Sequence, residues 1–256
     1  MSGRLADLSG PTITDAIGTD SVVLLPVGAI EQHGPHLPLS VDAVIAEEVA
    51  SALLTAVGDE VDLWLLPTLA VSKSNEHAWS PGTLWLSSET MLRVLDDIAT
   101  CVATTPARRL VFLNAHGGNT SLLSVACRDI RVKHDLLTFL VHPSLPPASG
   151  GTSTEEEFGM GIHGGLNETS VFAHLRPGEA NMDLAVRRVP DWMAGNTSVR
   201  FGGPVQFGWT SRDFGPDGHI GDPTGANPEL GRELFDAAVA GLAEQIHEIA
   251  GFDFRA

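Results

Sequence analysis

Glu31, His33 and Asp42 fall close together in Glu31-Gln32-His33-Gly34-Pro35-His36-Leu37-Pro38-Leu39-Ser40-Val41-Asp42. Carboxylate oxygens with an imidazole, and no thiolate, suit a divalent cation. Glu31 and His33 are two residues apart, so an extended backbone points both side chains the same way. The glycine and prolines around them forbid regular structure. The same stretch also reads as a plain polar loop with Asp42 capping the next helix. Two further segments carry donors of the same kind. His116 lies in Asn114-Ala115-His116-Gly117-Gly118-Asn119, and His163 and Glu168 lie in His163-Gly164-Gly165-Leu166-Asn167-Glu168-Thr169-Ser170. One such segment is weak evidence; three in one chain favour a composite site.

These residues must be held by something. Val22–Val27 is an apolar run that reads as a buried strand ending just before Glu31. Val44 to Val57 carries Val44, Ile45, Val49, Leu53 and Ala56 at helical spacing, closed by Gly58. Leu63 to Val71 reads as a second strand, interrupted by Pro67. It leads into a loop, Ser72 to Pro81, that contains Asn75, Glu76, His77 and Trp79. Ser87 or Ser88 caps a helix to about Thr104, with Met91, Leu92, Leu95, Ile98 and Val102 inward. Arg109 to Asn114 is the next strand, followed by a helix from about Ser121 to Lys133 and a fourth strand, Leu136 to Val141. Four apolar runs alternating with three helices predict an α/β fold with a mostly parallel sheet covered on both faces. In such sheets, sites form beyond the carboxyl ends of the strands, which is where Glu31, His33 and His116 fall.

Residues 143–161 are rich in Pro, Gly, Ser and Thr around Glu155-Glu156-Glu157 and read as a loop. Residues 176–226, with Trp192 and Trp209, show little periodicity and are expected to wall a pocket or contact a partner subunit. The last helix is plain: Asn227 as N-cap, Pro228 in the first turn, and Leu230, Leu234, Ala238, Leu242, Ile246 and Ile249 on one face.

The 256 residues can bury a large core, and no linker divides them, so a single domain over 1–256 is expected. A formal net charge of −17 argues against nucleic acid or an anionic membrane surface as a partner. No apolar run is long enough to span a bilayer and no export signal is recognisable, so a cytoplasmic protein is expected. Cys101 and Cys127 read as small core residues in a reducing compartment.

Taken in chain order, these motifs resemble those of the creatininase family of metal-dependent amidohydrolases. The resemblance rests on Val27-Gly28-Ala29-Ile30-Glu31-Gln32-His33-Gly34 with Asp42, on Asn114 to Asn119, on His163 to Ser170, and more weakly on Gly221-Asp222-Pro223-Thr224. It covers roughly Val22 to Ile246. It implies a three-layer α/β/α sandwich, two divalent ions per chain, hydrolysis of a carbon–nitrogen bond, and a homo-oligomer, since the family tends toward hexamers. By resemblance, Asp42 matches the carboxylate that bridges both metals, Glu31 and His116 match ligands of one, and His33 a ligand of the other. One position departs: creatininase carries a metal-binding glutamate two residues after the histidine matching His116, and this chain has Gly118. Glu168 is the remaining carboxylate in a matching motif and is assigned to the second metal, although an acid in the first turn of a helix is also its expected place.

The chemistry so implied is attack of a metal-bridging hydroxide on an amide, with His163 as general acid to the departing nitrogen. His163, and His36 with it, read equally as residues that order the loops. Glu76, His77 and Trp79 are candidates for contact with a small-molecule substrate, while Trp79 and Trp85 also suit a core or interface. Zn, Mn or Fe fits the nitrogen and oxygen donors. The leading expectation is a small amide, lactam or formamide-like substrate, with creatinine itself disfavoured by Gly118. The alternatives are a peptidase that trims a ribosomally made redox-cofactor precursor of the mycofactocin type, a hydrolase of a cyclic ketone, and a metal- or ligand-binding relative without catalysis.

Overall fold

The computed structural model describes residues 2–144 and 157–254. The elements that position the site are β1 (Gly3–Arg4), α1 (Gly10–Ala16), β2 (Val22–Val27), α2 (Val41–Val57), β3 (Leu63–Leu65), α3 (Ser88–Val102), β4 (Arg109–Asn114), α4 (Thr120–His134), β5 (Leu137–Val141), α5 (Leu166–Leu175) and α6 (Pro228–Gly251). The strands form one parallel sheet in the order β1-β3-β2-β4-β5.

Alternation along the central strands feeds two cores. Val22 and Leu24 of β2, with Val111 and Leu113 of β4, join the cluster under α2, α5 and α6. Val23, Leu25 and Val27, with Leu110 and Phe112, join the cluster under α3 and α4. Both faces of β2 and β4 are therefore buried, which is why these strands read as unbroken apolar runs and the architecture is three-layered. A third cluster, of Met160, Val189 and Met193, is packed by Phe201, Phe207 and Phe214 and gives the irregular segment after α5 its own small core.

The expected strand over Leu63 to Val71 is shorter, because Pro67 has no N–H to give the ladder. Contact resumes beyond it, where Leu69 N–H donates to Pro26 O at 2.9 Å and Gly28 N–H to Leu69 O at 3.1 Å. That gap also explains Pro26 inside a central strand: its nitrogen faces the interruption in β3. The helix expected from Val44 begins at Val41, so Asp42 sits in its first turn. Ser87 is the cap of α3, its side chain accepting from Thr90 N–H. Asn227 caps α6, accepting from Leu230 N–H at 2.9 Å. At the far end of α6, the guanidinium of the buried Arg109 donates to the carbonyls of Ile249 (3.1 Å) and Phe252 (3.0 Å).

Cys101 corrects an expectation: it is exposed, and Cys127 is only partly buried. The buried stripe of α3 is Met91, Leu95, Ala99 and Val102, and Cys101 falls off it. Of the expected loop 143–161, residues 145–156, including Glu155 and Glu156, lie outside the described residues. No helix among the described residues is long and apolar enough to cross a membrane.

The chain leaves β2 toward β3 on one side and leaves β4 toward β5 on the other. Connections that diverge from adjacent strands open a crevice at their carboxyl ends. Val27 and Asn114, paired in register, are the last residues of those two strands.

Candidate metal centre

The crevice is built by close backbone approach. A Cβ on Gly28 would lie 2.6 Å from Ala43 Cα and 2.7 Å from the carbonyl carbon of Asp42, so only glycine lets the loop after β2 touch the first turn of α2. The Gly28 carbonyl accepts from Ser72 Oγ at 2.6 Å, and Ser72 accepts from Asn119 Nδ2 at 3.1 Å. Asn119 in turn donates to Asn114 Oδ1 at 3.2 Å and accepts from Lys73 N–H at 3.1 Å. Amide and hydroxyl groups thus tie the ends of β2 and β4 to the loop after β3. Gly28→Ala is expected to push α2 off this loop, costing about 1–3 kcal/mol of stability by overpacking. Its measured metal content should fall with it, since Asp42 moves; thermal unfolding and elemental analysis read the two effects.

Three imidazoles meet the carboxylates in the same way. His33 Nδ1–H donates to the Glu31 carbonyl at 3.1 Å, leaving its Nε2 lone pair 3.2 Å from Asp42 Oδ1 and 3.8 Å from Glu168 Oε1. His116 Nε2–H donates to the Lys73 carbonyl at 3.2 Å, leaving Nδ1 3.1 Å from Asp42 Oδ2 and 3.3 Å from Glu31 Oε1. His163 Nε2–H donates to the Gln32 carbonyl at 2.6 Å, leaving Nδ1 3.6 Å from Glu31 Oε1. In each ring one nitrogen is spent on a backbone carbonyl and the other faces a carboxylate oxygen, the arrangement of histidines oriented to bind metal.

An imidazole lone pair does not rest against a carboxylate lone pair unless a proton or a cation stands between them. Both oxygens of Glu31, His33 Nε2 and Asp42 Oδ2 are buried without a hydrogen-bond partner among the described residues. Such groups carry a large desolvation cost when unsatisfied. The donors fall into the trios Glu31/Asp42/His116, His33/Asp42/Glu168 and Glu31/His33/His163, with ligand atoms within 4.8 Å of one another in each. Asp42 is shared by the first two. The residues therefore fit divalent cations.

Without cations, protons fill the gaps. Burial pushes the Glu31 carboxyl up to about 7, against the pull of His116. Burial alone would strip the proton from His33, but the charges of Asp42 and Glu168 outweigh it and hold it well above the ordinary imidazole value. His116 is raised in the same way, burial being outweighed by Glu31 and by its hydrogen bonds to Asp42 and Glu31. Burial pushes His163 well below its ordinary value, helped by the charge of His33. His77 is pushed down to about 3, again mainly by burial.

Glu31, His33, Asp42, His116, His163 and Glu168 all converge on the crevice. Glu168 lies in the first turn of α5, where its Oε2 accepts from Gly164 N–H at 2.5 Å, while Oε1 faces His33. Glu76 and His77 arrive on a short 3-10 turn. His77 presents its Nε2 3.4 Å from Glu31 Oε1, and Glu76 stands behind His116. The Trp79 indole N–H donates to Ser211 Oγ at 2.8 Å. His36 Nε2 pairs with Thr169 Oγ1 at 3.1 Å, which ties the first motif to α5.

Two participants take part through contacts that their residue types do not announce. Gln32 donates through Nε2 to the Gly218 carbonyl (2.7 Å) and to His77 Nδ1 (3.0 Å), so His77 turns an N–H, not a lone pair, toward Glu31. Ile220 brackets His163 through backbone bonds in both directions, 3.1 and 2.7 Å. The weak Gly221 to Thr224 motif adjoins this bridge. The irregular segment thus returns to pin the third motif, and a backbone contact leaves no trace in residue type. A cavity of about 410 Å³ opens beside Glu168, lined also by Asn114, His142 and Ile162. A second, of about 610 Å³, lies across Gly117 and is lined by Lys73, Glu76, Leu122, Phe207 and Trp209.

The family model Creatininase, described as creatinine amidohydrolase, matches residues 6–246. The chain is 33% identical over 250 residues to the mycofactocin precursor peptide peptidase of Mycobacterium tuberculosis, covering 92% of this chain and 88% of that protein. It is 28% identical over 245 residues to the creatinine amidohydrolase of Pseudomonas putida, covering 90% of each. A solved structure described as creatininase Mn shares the fold with a TM-score of 0.76 at 24% identity, over 98% of this chain and 100% of that one.

Proposed function

This chain belongs to the creatininase family of hydrolases, and from that premise we propose that it is a binuclear metal-dependent amidohydrolase cleaving a carbon–nitrogen bond other than an ordinary peptide bond. The observation that carries the reading is the set of imidazole lone pairs aimed at buried carboxylate oxygens that lack partners. Glu31 and His116 would hold one ion, His33 and Glu168 the other, with Asp42 between them. When bound, the ions supply an acidified water at neutral pH and polarise the scissile carbonyl.

The chain's own residues do the rest. His163, tied through Nε2–H to Gln32, keeps Nδ1 free to take a proton from the attacking water and return it to the departing nitrogen. His77 points Nε2–H at Glu31 and steadies its charge. The cavity beside Glu168 falls within the roughly 300–1,000 Å³ of small-ligand pockets and receives the substrate. Zn, Mn and Fe all suit this donor set.

A second reading, trimming of a precursor peptide, is favoured by the paired cavities on either side of Gly117, which offer room for a longer substrate, and by the name of the 33% identical relative. Turnover of peptide substrates against small amides and creatinine separates the two.

Elemental analysis after dialysis tests the centre itself. The chain should carry two ions near pH 8. As pH falls below about 7, protons returning to Glu31 add to the competition from His33 and His116, which take up protons already at higher pH, so metal is lost on acidification and regained on return. Fewer than two ions at pH 8 after reconstitution with Zn or Mn would refute the binuclear reading.

A further inference from the structure

Glu76 is a buried carboxylate standing on the far side of His116 from the other carboxylates. Its Oε1 lies 3.3 Å from His116 Nε2, and its Oε2 accepts from Lys73 Nζ at 2.8 Å. Lys73 also supplies the carbonyl that His116 Nε2–H reaches at 3.2 Å. One imidazole edge thus faces Glu76 and Lys73, and the other, through Nδ1, faces Asp42 Oδ2 and Glu31 Oε1. Gly118 makes this possible. A Cβ there would lie 1.8 Å from Glu76 Oε1 and 2.4 Å from His116 Nε2, so any side chain at 118 would evict the carboxylate.

We propose that Glu76 is a positioning residue that locks His116 with its proton on Nε2, making Nδ1 the metal-binding atom, with Gly118 as the gap that admits the carboxylate. The inference rests on the metal-centre reading above. A carboxylate behind a ligating histidine fixes the ring and raises its basicity, and its loss typically weakens metal binding about 10- to 100-fold. Because Lys73 occupies the second oxygen, Glu76 is spoken for within the protein, although it borders the larger cavity.

Chelator competition on the whole protein gives the zinc dissociation constants of the two sites for wild type, Glu76→Gln and Glu76→Leu. Both variants should keep two sites, with one weakened: about 10-fold for Glu76→Gln, whose amide oxygen still accepts from Nε2–H, and about 100-fold for Glu76→Leu. Nitrogen-15 spectra of the zinc-loaded wild type should place the His116 proton on Nε2, and Glu76→Leu should blur that assignment. Unchanged dissociation constants in both variants, with only KM altered, would make Glu76 a substrate contact and overturn the proposal. So would outright loss of one site, which would make it a ligand. Absence of zinc binding in the wild type would instead sink the metal-centre reading. Thermal unfolding of the metal-free variants identifies a general loss of fold.

Discussion

Asp42→Asn protein is expected to leave purification with at most one ion per chain and to lose about 1,000-fold or more in kcat/KM, the several kcal/mol a cation contributes to charge stabilisation. Asp42 has one oxygen toward each side of the centre: Oδ1 is 3.2 Å from His33 Nε2 and Oδ2 is 3.1 Å from His116 Nδ1. Both imidazole protons are already directed to backbone carbonyls, so both facing nitrogens are acceptors. The asparagine amide would satisfy one of them as a hydrogen-bond donor and remove the charge that holds the ions together. Burial in the first turn of α2 and near-equal volume should keep the fold intact, as circular dichroism can check. Two ions at wild-type affinity with full turnover would show that Asp42 does not bridge.

His163→Ala should behave differently: both ions kept, KM little changed, and kcat down by about 100- to 10,000-fold, the usual worth of a positioned proton-transfer group. The Gln32 carbonyl fixes the ring, and burial with the nearby charge of His33 keeps it neutral, so Nδ1 is a standing proton acceptor facing the centre. Added imidazole should recover part of the rate through the cavity left behind. The competing outcome is concrete, because Nδ1 also lies within ligand range of Glu31 and His33. A fall to one ion per chain would make His163 a ligand and leave proton transfer to another group.

The residues that converge on the crevice were legible because each stands on a short motif at the end of an apolar strand or the start of a helix, where residue type and position carry one message. Glu31, His33, His116 and Glu168 are of this kind. Glu76 was legible as a candidate substrate contact on a loop but not as a partner of His116, because that contact depends on an empty space at Gly118, far along the chain. Trp79 reads equally as a substrate contact or as a core or interface residue, and the partner of its indole N–H, Ser211, stands in a segment without periodicity that the sequence does not connect to it. Helix α1 and strand β1 were missed for a simpler reason: α1 buries none of its residues and β1 has two, so neither leaves an apolar stripe to read. The short β3 was overestimated because an apolar run records burial, and burial continues past Pro67 although the ladder breaks there.

Strand β1 has a consequence for how copies of this chain can meet. It closes one side of the sheet with two residues and ends on Arg4, whose guanidinium is held by Glu47 at 2.8 Å and Ser51 at 2.7 Å. Exposed strand edges invite templating by another backbone, and natural sheets blunt them with short strands and fixed charge. An incoming strand would find too few amides to register against here, with a charge anchored at the end. This side of the sheet resists edge-to-edge growth into aggregates.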